Sequence, residues 1–186
     1  MAIQAAATTM NPLTQLSAQC RAQPIVWDDV RPDLCASLEQ IILARMQSDR
    51  GHKKVGSLNV GGWKSAEDFF LWPDPAVQEI RKTIAELIGA KSPVAWVMVN
   101  RAGSHHPRHQ HRIASLTGVY YVTAGSPEAI TPTVFECPCD GSPKRGEMQV
   151  DPHPGRLVLA RGETWHWLPV YAGDLPRITI VFDVRR

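Results

Sequence analysis

The chain of 186 residues is poor in most features that would classify it at once. Its four cysteines, Cys20, Cys35, Cys137 and Cys139, are too few for a disulfide framework. Cys137-Pro-Cys139 resembles half of a metal knuckle, but no second pair completes a structural zinc site. A reducing cytoplasm is therefore the expected compartment. No run approaches the ~20 apolar residues that cross a bilayer, so no membrane association is expected. The N-terminal stretch MAIQAAATTMNPLTQLSAQ has neither a basic start nor a continuous apolar core. It reads as a poorly ordered leader over residues 1–20, not as a secretory signal. The net charge is only +2, and basic residues come as scattered pairs such as Lys53-Lys54 and Lys144-Arg145, which argues against nucleic acid. Ser65, Ser104 and Ser115 lack a nucleophile-elbow context, so a serine hydrolase is a poor fit.

Present instead is an ordinary globular composition, 44% apolar and 20% charged, over a length that suits one domain. Residues 21–92 read as a helical support region. Pro32 and Asp33 open a helix with Leu34, Leu38, Ile41, Ile42 and Met46 on one face, ending near Gly51. Asp74-Pro75 opens a second, with Val77, Ile80, Ile84 and Leu87 at helical spacing and Gly89 as its stop. The Gly- and aromatic-rich stretch between them reads as an extended segment and loop over the core. Residues 93–186 change character: 94–100, 115–123, 132–136, 155–160, 164–170 and 176–183 are short β-rich runs separated by Gly, Pro and Asp turns. Helices first and then many strands predict a mainly β fold with N-terminal helices, a double-stranded β-helix or jelly roll of cupin-like type.

Chemistry concentrates in the histidines. His109-Gln110-His111 places two imidazoles at i and i+2, on one side of an extended segment. His166 could close a triangle around one metal ion, its flanking Trp165 and Trp167 facing the other way. Neutral imidazole suits Fe, Zn, Cu and Ni alike. His106 could also reach a metal. His153 between two prolines suits a turn, and His52 beside Lys53-Lys54 suits a solvated loop. Arg177, between apolar neighbours in Leu175-Pro-Arg-Ile-Thr-Ile-Val-Phe182, is expected to point inward and be paired.

Three stretches together carry a family resemblance: Trp96-Val-Met-Val-Asn100-Arg-Ala-Gly103, His106-Pro-Arg-His109-Gln-His111 and Leu116-Thr-Gly-Val-Tyr-Tyr-Val122. With Leu58-Asn-Val-Gly-Gly-Trp-Lys-Ser65 upstream, and Pro154-Gly-Arg-Leu-Val-Leu159, His166 and Pro176-Arg177-Ile-Thr179 downstream, the chain resembles a family of 2-oxoglutarate/Fe(II)-dependent oxygenases. The resemblance spans about residues 57–183 and implies Fe(II), 2-oxoglutarate and O₂ as partners in hydroxylating a small molecule or a peptide side chain. It implies His109, His111 and His166 as metal ligands. Arg177 would pair bidentately with the cosubstrate's C5 carboxylate, joined by Thr179, Tyr121 and Asn100. His106, Tyr120 and Trp167 are further candidates near the metal or substrate; of the adjacent tyrosines, Tyr121 is expected to face the site.

Most 2-oxoglutarate enzymes carry Asp or Glu where this chain has His111. Imidazole there leaves the site one unit more positive, attracting a dianionic cosubstrate and raising the iron potential. Coordination by His111 is the expectation; the alternative is that it turns aside and water fills that position. Two other classes stay open on the residues alone: a three-His cupin-like dioxygenase that needs no 2-oxoglutarate, and a metal-binding protein without turnover. An exposed sheet edge would also allow a homodimer.

Overall fold

The computed structural model describes residues 23–49, 59–90, 93–138 and 145–185. The expected leader, His52, Cys139 and the expected helix end near Gly51 lie outside them. Among the described residues, the strands are β1 (Ile25–Trp27), β2 (Trp63–Lys64), β3 (Val94–Asn100), β4 (His106–His109), β5 (Ala114–Ala124), β6 (Thr133–Pro138), β7 (Arg145–Val150), β8 (Leu157–Arg161), β9 (His166–Leu168) and β10 (Arg177–Arg185). They form two antiparallel sheets, one of six strands in the order β1-β8-β5-β10-β3-β2 and one of four in the order β4-β9-β6-β7. This is the expected mainly β double sheet.

Alternation of side chains sorts each central strand of the large sheet into two faces. Ile178, Ile180, Phe182 and Val184 of β10 join Val97 and Val99 of β3, Leu116 and Tyr120 of β5, and Leu157 and Leu159 of β8 in one apolar core. Helix α1 (Cys35–Ser48) brings Leu38 and Ile42 to that core, and α2 (Pro75–Ile88) brings Val77, Ile80, Ile84 and Ile88. Each large side chain removed from water there contributes about 1.5–3 kcal/mol. The opposite face meets the small sheet through Val119, Tyr121, Val158 and Ala160 against Phe135 and Val150.

Helix α2 begins with Pro75 in its first turn and ends at Gly89, whose φ of 64° is the left-handed geometry that glycine adopts without strain. Asp74 sits at the N-cap without a side-chain cap hydrogen bond, and Ile88 is buried where Leu87 was expected, Leu87 being 38% exposed. The helical periodicity was misplaced by one residue at that last turn. Residues 21–92 are also not purely helical. Strands β1 and β2 lie within them and extend the large sheet at both edges, since a lone edge gains hydrogen bonds from even two or three residues of pairing.

Candidate metal centre and anion subsite

The inner face of the large sheet is set by the middle strand, β10. Arg177, Thr179, Val181 and Asp183 alternate toward the small sheet, and their cross-strand neighbours on β3 are Asn100, Met98, Trp96 and Val94. Register with β5 pairs Thr179 with Tyr121, Val181 with Val119 and Asp183 with Thr117, after an irregularity between Ile178 and Thr179. A cavity between the sheets is lined by Trp96, Met98, His106, His109, His111, Val119, Thr133, His166, Trp167, Leu168, Arg177, Thr179 and Val181.

At one end of this cavity stand His109, His111 and His166. One ligand nitrogen from each lies within 4.8 Å of the others. The small sheet brings two of them together directly, because His109 on β4 and His166 on β9 are cross-strand partners. His111 lies beyond the end of β4 instead of on a strand, so its inward aim comes from its anchors and not from pleating. Its backbone N–H donates to Gly162 O at 2.7 Å, and its carbonyl accepts from Ala114 N at 2.9 Å. Gly162 must be glycine for this: a Cβ there would overlap the carbonyl oxygens of Ala114 and His111.

The outer nitrogens decide which tautomer each ring adopts. His109 Nδ1 lies 2.8 Å from Pro107 O, and His166 Nδ1 lies 3.0 Å from Thr164 O. Carbonyls only accept, so both Nδ1 atoms carry the proton and both Nε2 lone pairs are free. His111 Nδ1 lies 2.6 Å from Asp183 Oδ1 and 3.1 Å from Thr117 Oγ1, which leaves its Nε2 free as well. Burial pushes His166 well below the ordinary imidazole pKa and lowers His109 in the same direction. Neutral rings with free Nε2 lone pairs and hydrogen-bonded Nδ1–H groups are the state in which imidazole binds a divalent metal. The donor set therefore fits a metal ion.

The other end of β10's inner face carries Arg177, 2% exposed. Its Nη2 donates to Thr133 Oγ1 at 2.8 Å, its guanidinium lies 5.2 Å from the centre of the Tyr121 ring, and its Nε has no partner among the described residues. No carboxylate among the described residues pairs with it. Burial accordingly pulls its pKa below the usual guanidinium value. Tyr121 OH donates to the same Thr133 hydroxyl at 2.7 Å, so the two inward side chains converge on one atom. Asn100, fully buried beside Arg177 across the ladder, has neither carboxamide atom paired among the described residues. A buried cation without a counter-charge, next to an unpaired carboxamide, fits an incoming carboxylate.

Other candidates fall elsewhere. Tyr120 faces the helices, where its hydroxyl donates to Arg31 O at 3.1 Å and lies 3.4 Å from Cys35 Sγ. It is not near the cavity, because adjacent strand residues face opposite sides. His106 lines the cavity but stands outside the three-histidine cluster, its ring 6.4 Å from that of His109. Its Nε2 meets Asn59 Oδ1 at 2.9 Å, and Asn59 Nδ2 donates to Gly62 O at 2.8 Å. That chain orients the amide and makes His106 Nε2 the donor, leaving Nδ1 as an acceptor. Burial, foremost, drives the His106 pKa down to about 3. Trp167, expected to face away from His166, lines the cavity with it instead, whereas Trp165 carries the Arg108 guanidinium over its ring at 4.0 Å. Thr133, Thr117 and Asp183 were not anticipated from the sequence; only the inward phase of Asp183 relative to Arg177 and Thr179 hinted at it.

Residues 94–183, which hold both ends of this cavity, match the family model described as "Putative 2OG-Fe(II) oxygenase". The chain carries a 2OG-Fe(II) oxygenase domain. The fold of this 2-oxoglutarate-dependent dioxygenase is shared with solved structures at low identity. A Pseudomonas putida prolyl-4-hydroxylase is 16% identical with a TM-score of 0.66, over 94% of this chain and 99% of that one. A Trichoplax adhaerens prolyl hydroxylase, in complex with a peptide fragment of the hypoxia inducible factor oxygen degradation domain, is 15% identical with a TM-score of 0.70, over 94% and 88%. The α-ketoglutarate-dependent epimerase SnoN from nogalamycin biosynthesis is 14% identical with a TM-score of 0.68, over 91% and 80%. No curated protein sequence matches the chain. The match of residues 94–183 to this family favours iron and 2-oxoglutarate over the cupin-like and non-catalytic alternatives. No helix of the described residues is long and apolar enough to cross a membrane.

Proposed function

We propose that this oxygenase hydroxylates a C–H bond of a small molecule or peptide side chain, with His109, His111 and His166 holding Fe(II) through Nε2. In the same reading Arg177 binds the C5 carboxylate of 2-oxoglutarate, with Thr179, Tyr121 and Asn100 around it. The observation that carries this is the buried Arg177 guanidinium, without a carboxylate partner among the described residues, on the same inner strand face that leads to the three imidazoles. Iron(II) with 2-oxoglutarate and O₂ supplies the oxidising power, releasing succinate and carbon dioxide.

The chain's own residues do the rest. Arg177 fixes one end of the dianion by paired, charge-assisted hydrogen bonds from a buried guanidinium. Asn100 Nδ2 supplies a further donor, and the Thr179 hydroxyl lies one strand step further in. Tyr121 and Thr133 support the guanidinium from beneath. At the metal end, Pro107 O, Thr164 O and Asp183 keep the three rings oriented. Trp96, Met98, Trp167 and Leu168 give apolar walls that exclude water from the reacting carbon. The similar folds include a prolyl hydroxylase in complex with a peptide fragment and an epimerase from nogalamycin biosynthesis, so both substrate sizes belong in a screen. The reading takes the enzyme as cytoplasmic, in keeping with its few cysteines, and allows a homodimer through the β7 edge.

The test is succinate release by the metal-loaded protein against peptide and small-molecule panels, with 2-oxoglutarate binding measured separately on a redox-inert metal form. Binding that requires the metal and is lost in Arg177→Met supports the reading. Failure to bind 2-oxoglutarate with metal present would sink it.

A further inference from the structure

The third imidazole is treated differently from the other two. His109 and His166 lean on neutral backbone carbonyls. His111, at the position where most related chemistry has a carboxylate ligand, leans on a carboxylate, with Asp183 Oδ1 2.6 Å from its Nδ1. The Asp183 side chain is 9% exposed, and among the described residues its one ion-pair partner is this imidazole. A carboxylate buried in this way is costly unless positive charge lies close by. On the far side of the ring is Nε2, aimed among the other two imidazoles.

The support is built from two strands. Asp183 on β10 and Thr117 on β5 are cross-strand partners, so both side chains rise side by side toward His111. The Thr117 hydroxyl can donate to Phe182 O, 3.4 Å away, while its lone pair faces the shared Nδ1–H at 3.1 Å. Trp96 stacks on the His111 ring with centroids 5.6 Å apart and closes the remaining direction. The ring is thus held on Nδ1, on a face and at its backbone.

We propose that Asp183 is the positioning residue of the metal centre and returns, through the His111 imidazole, the negative charge that a carboxylate ligand would bring directly. Three neutral imidazoles leave a divalent ion with its full charge. With Asp183 one ring away, the centre has the same total charge as a site of two histidines and one carboxylate, but the charge sits a ring's width further out. The metal is then held by nitrogen donors alone, and the carboxylate is kept from competing with 2-oxoglutarate for coordination. This inference rests on the three-histidine reading above.

The test compares wild type with Asp183→Asn, which preserves an acceptor oxygen toward Nδ1–H while removing the charge. Thr117→Val removes only the neutral contact. Cobalt(II) affinity, the cobalt(II) absorption spectrum and the iron(III/II) midpoint potential are read on each, alongside thermal melting. Loss of an outer partner of this kind weakens metal binding about 10–100-fold. Asp183→Asn should show that loss and a raised midpoint potential, whereas Thr117→Val should change affinity by less than about threefold. Wild-type affinity, spectrum and potential in Asp183→Asn overturn the proposal, as does an equal loss in Thr117→Val. A second arm needs no variant. In the zinc(II) form of the wild-type protein, nitrogen-15 NMR should find His111 protonated on Nδ1 and metal-bound on Nε2; the opposite assignment overturns the proposal. If wild type binds no divalent metal at all, it is the three-histidine reading that fails.

Discussion

Arg177→Met should stabilise the ligand-free protein while destroying its affinity for 2-oxoglutarate. The wild-type guanidinium is 2% exposed, pairs with no carboxylate among the described residues, and donates to the neutral Thr133 hydroxyl. Methionine keeps an unbranched apolar stem of similar reach and removes an uncompensated buried charge. Thr133 still accepts from Tyr121, so no hydroxyl loses its last partner. Replacing buried charge by apolar volume stabilises by about 1 kcal/mol or more, which for a chain of this size raises Tm by roughly 2–4 °C. Truncating one side of a buried charge pair costs about 2–5 kcal/mol of binding, or ~30- to ~4,000-fold in Kd. Thermal unfolding of metal-free protein and calorimetric titration of 2-oxoglutarate into the manganese(II) form read the two effects separately. A variant that melts lower and binds 2-oxoglutarate as wild type does would make Arg177 a structural residue and refute the reasoning.

Gly162→Ala should cost both fold and metal, because its Cβ would overlap the carbonyl oxygens that set His111. A loss of about 1–3 kcal/mol with at least tenfold weaker cobalt(II) binding is expected by denaturant titration and metal competition. His106→Phe should leave cobalt(II) affinity near wild type, since the ring stands outside the cluster, while KM for a true substrate rises; lost metal would refute that placement. The metal-free protein should weaken in mild acid. Burial depresses the folded pKa of His106 to about 3, and lowers His109 and His166 in the same direction. The unfolded chain therefore binds more protons below about pH 6.5, and each such ring removes up to ~1.4 kcal/mol per pH unit on the way down. Stability that stays flat from pH 7 to pH 4.5 in urea titrations would contradict neutral buried rings.

The central strands were legible because they are near-continuous apolar runs, buried on both faces between the helices and the small sheet. β3, β5, β8 and β10 all fall where apolar β-branched runs predicted them. β4 was not, since His106-Pro-Arg-His109 has no strand propensity of its own and is extended only by pairing with β9. β7, whose residues Arg145–Val150 read as part of a loop, forms for the same reason against β6. The three histidines and Arg177 could be named in advance from residue type and order. Their supports could not. Thr133, Asp183 and the Asn59–Gly62 chain act through hydrogen bonds between residues distant in sequence, and periodicity carries no information about such pairs. Tyr120 and Tyr121 differ by one residue and therefore by a whole face, a phase that propensity alone leaves nearly even.

The placement of both subsites along β10 affects how this enzyme could change over time. Arg177 and Asp183 belong to one uninterrupted strand, laddered to β3 on one side and β5 on the other. Their separation is therefore a property of the backbone and not of any loop. Insertions at the 124–132 turn or beyond β6 can remodel the mouth while the spacing between anion and metal stays the same. A single inserted residue within β10 would instead turn part of that set toward the helices. Substrate choice can thus drift by loop variation, whereas the cosubstrate and the metal have to be kept or lost together.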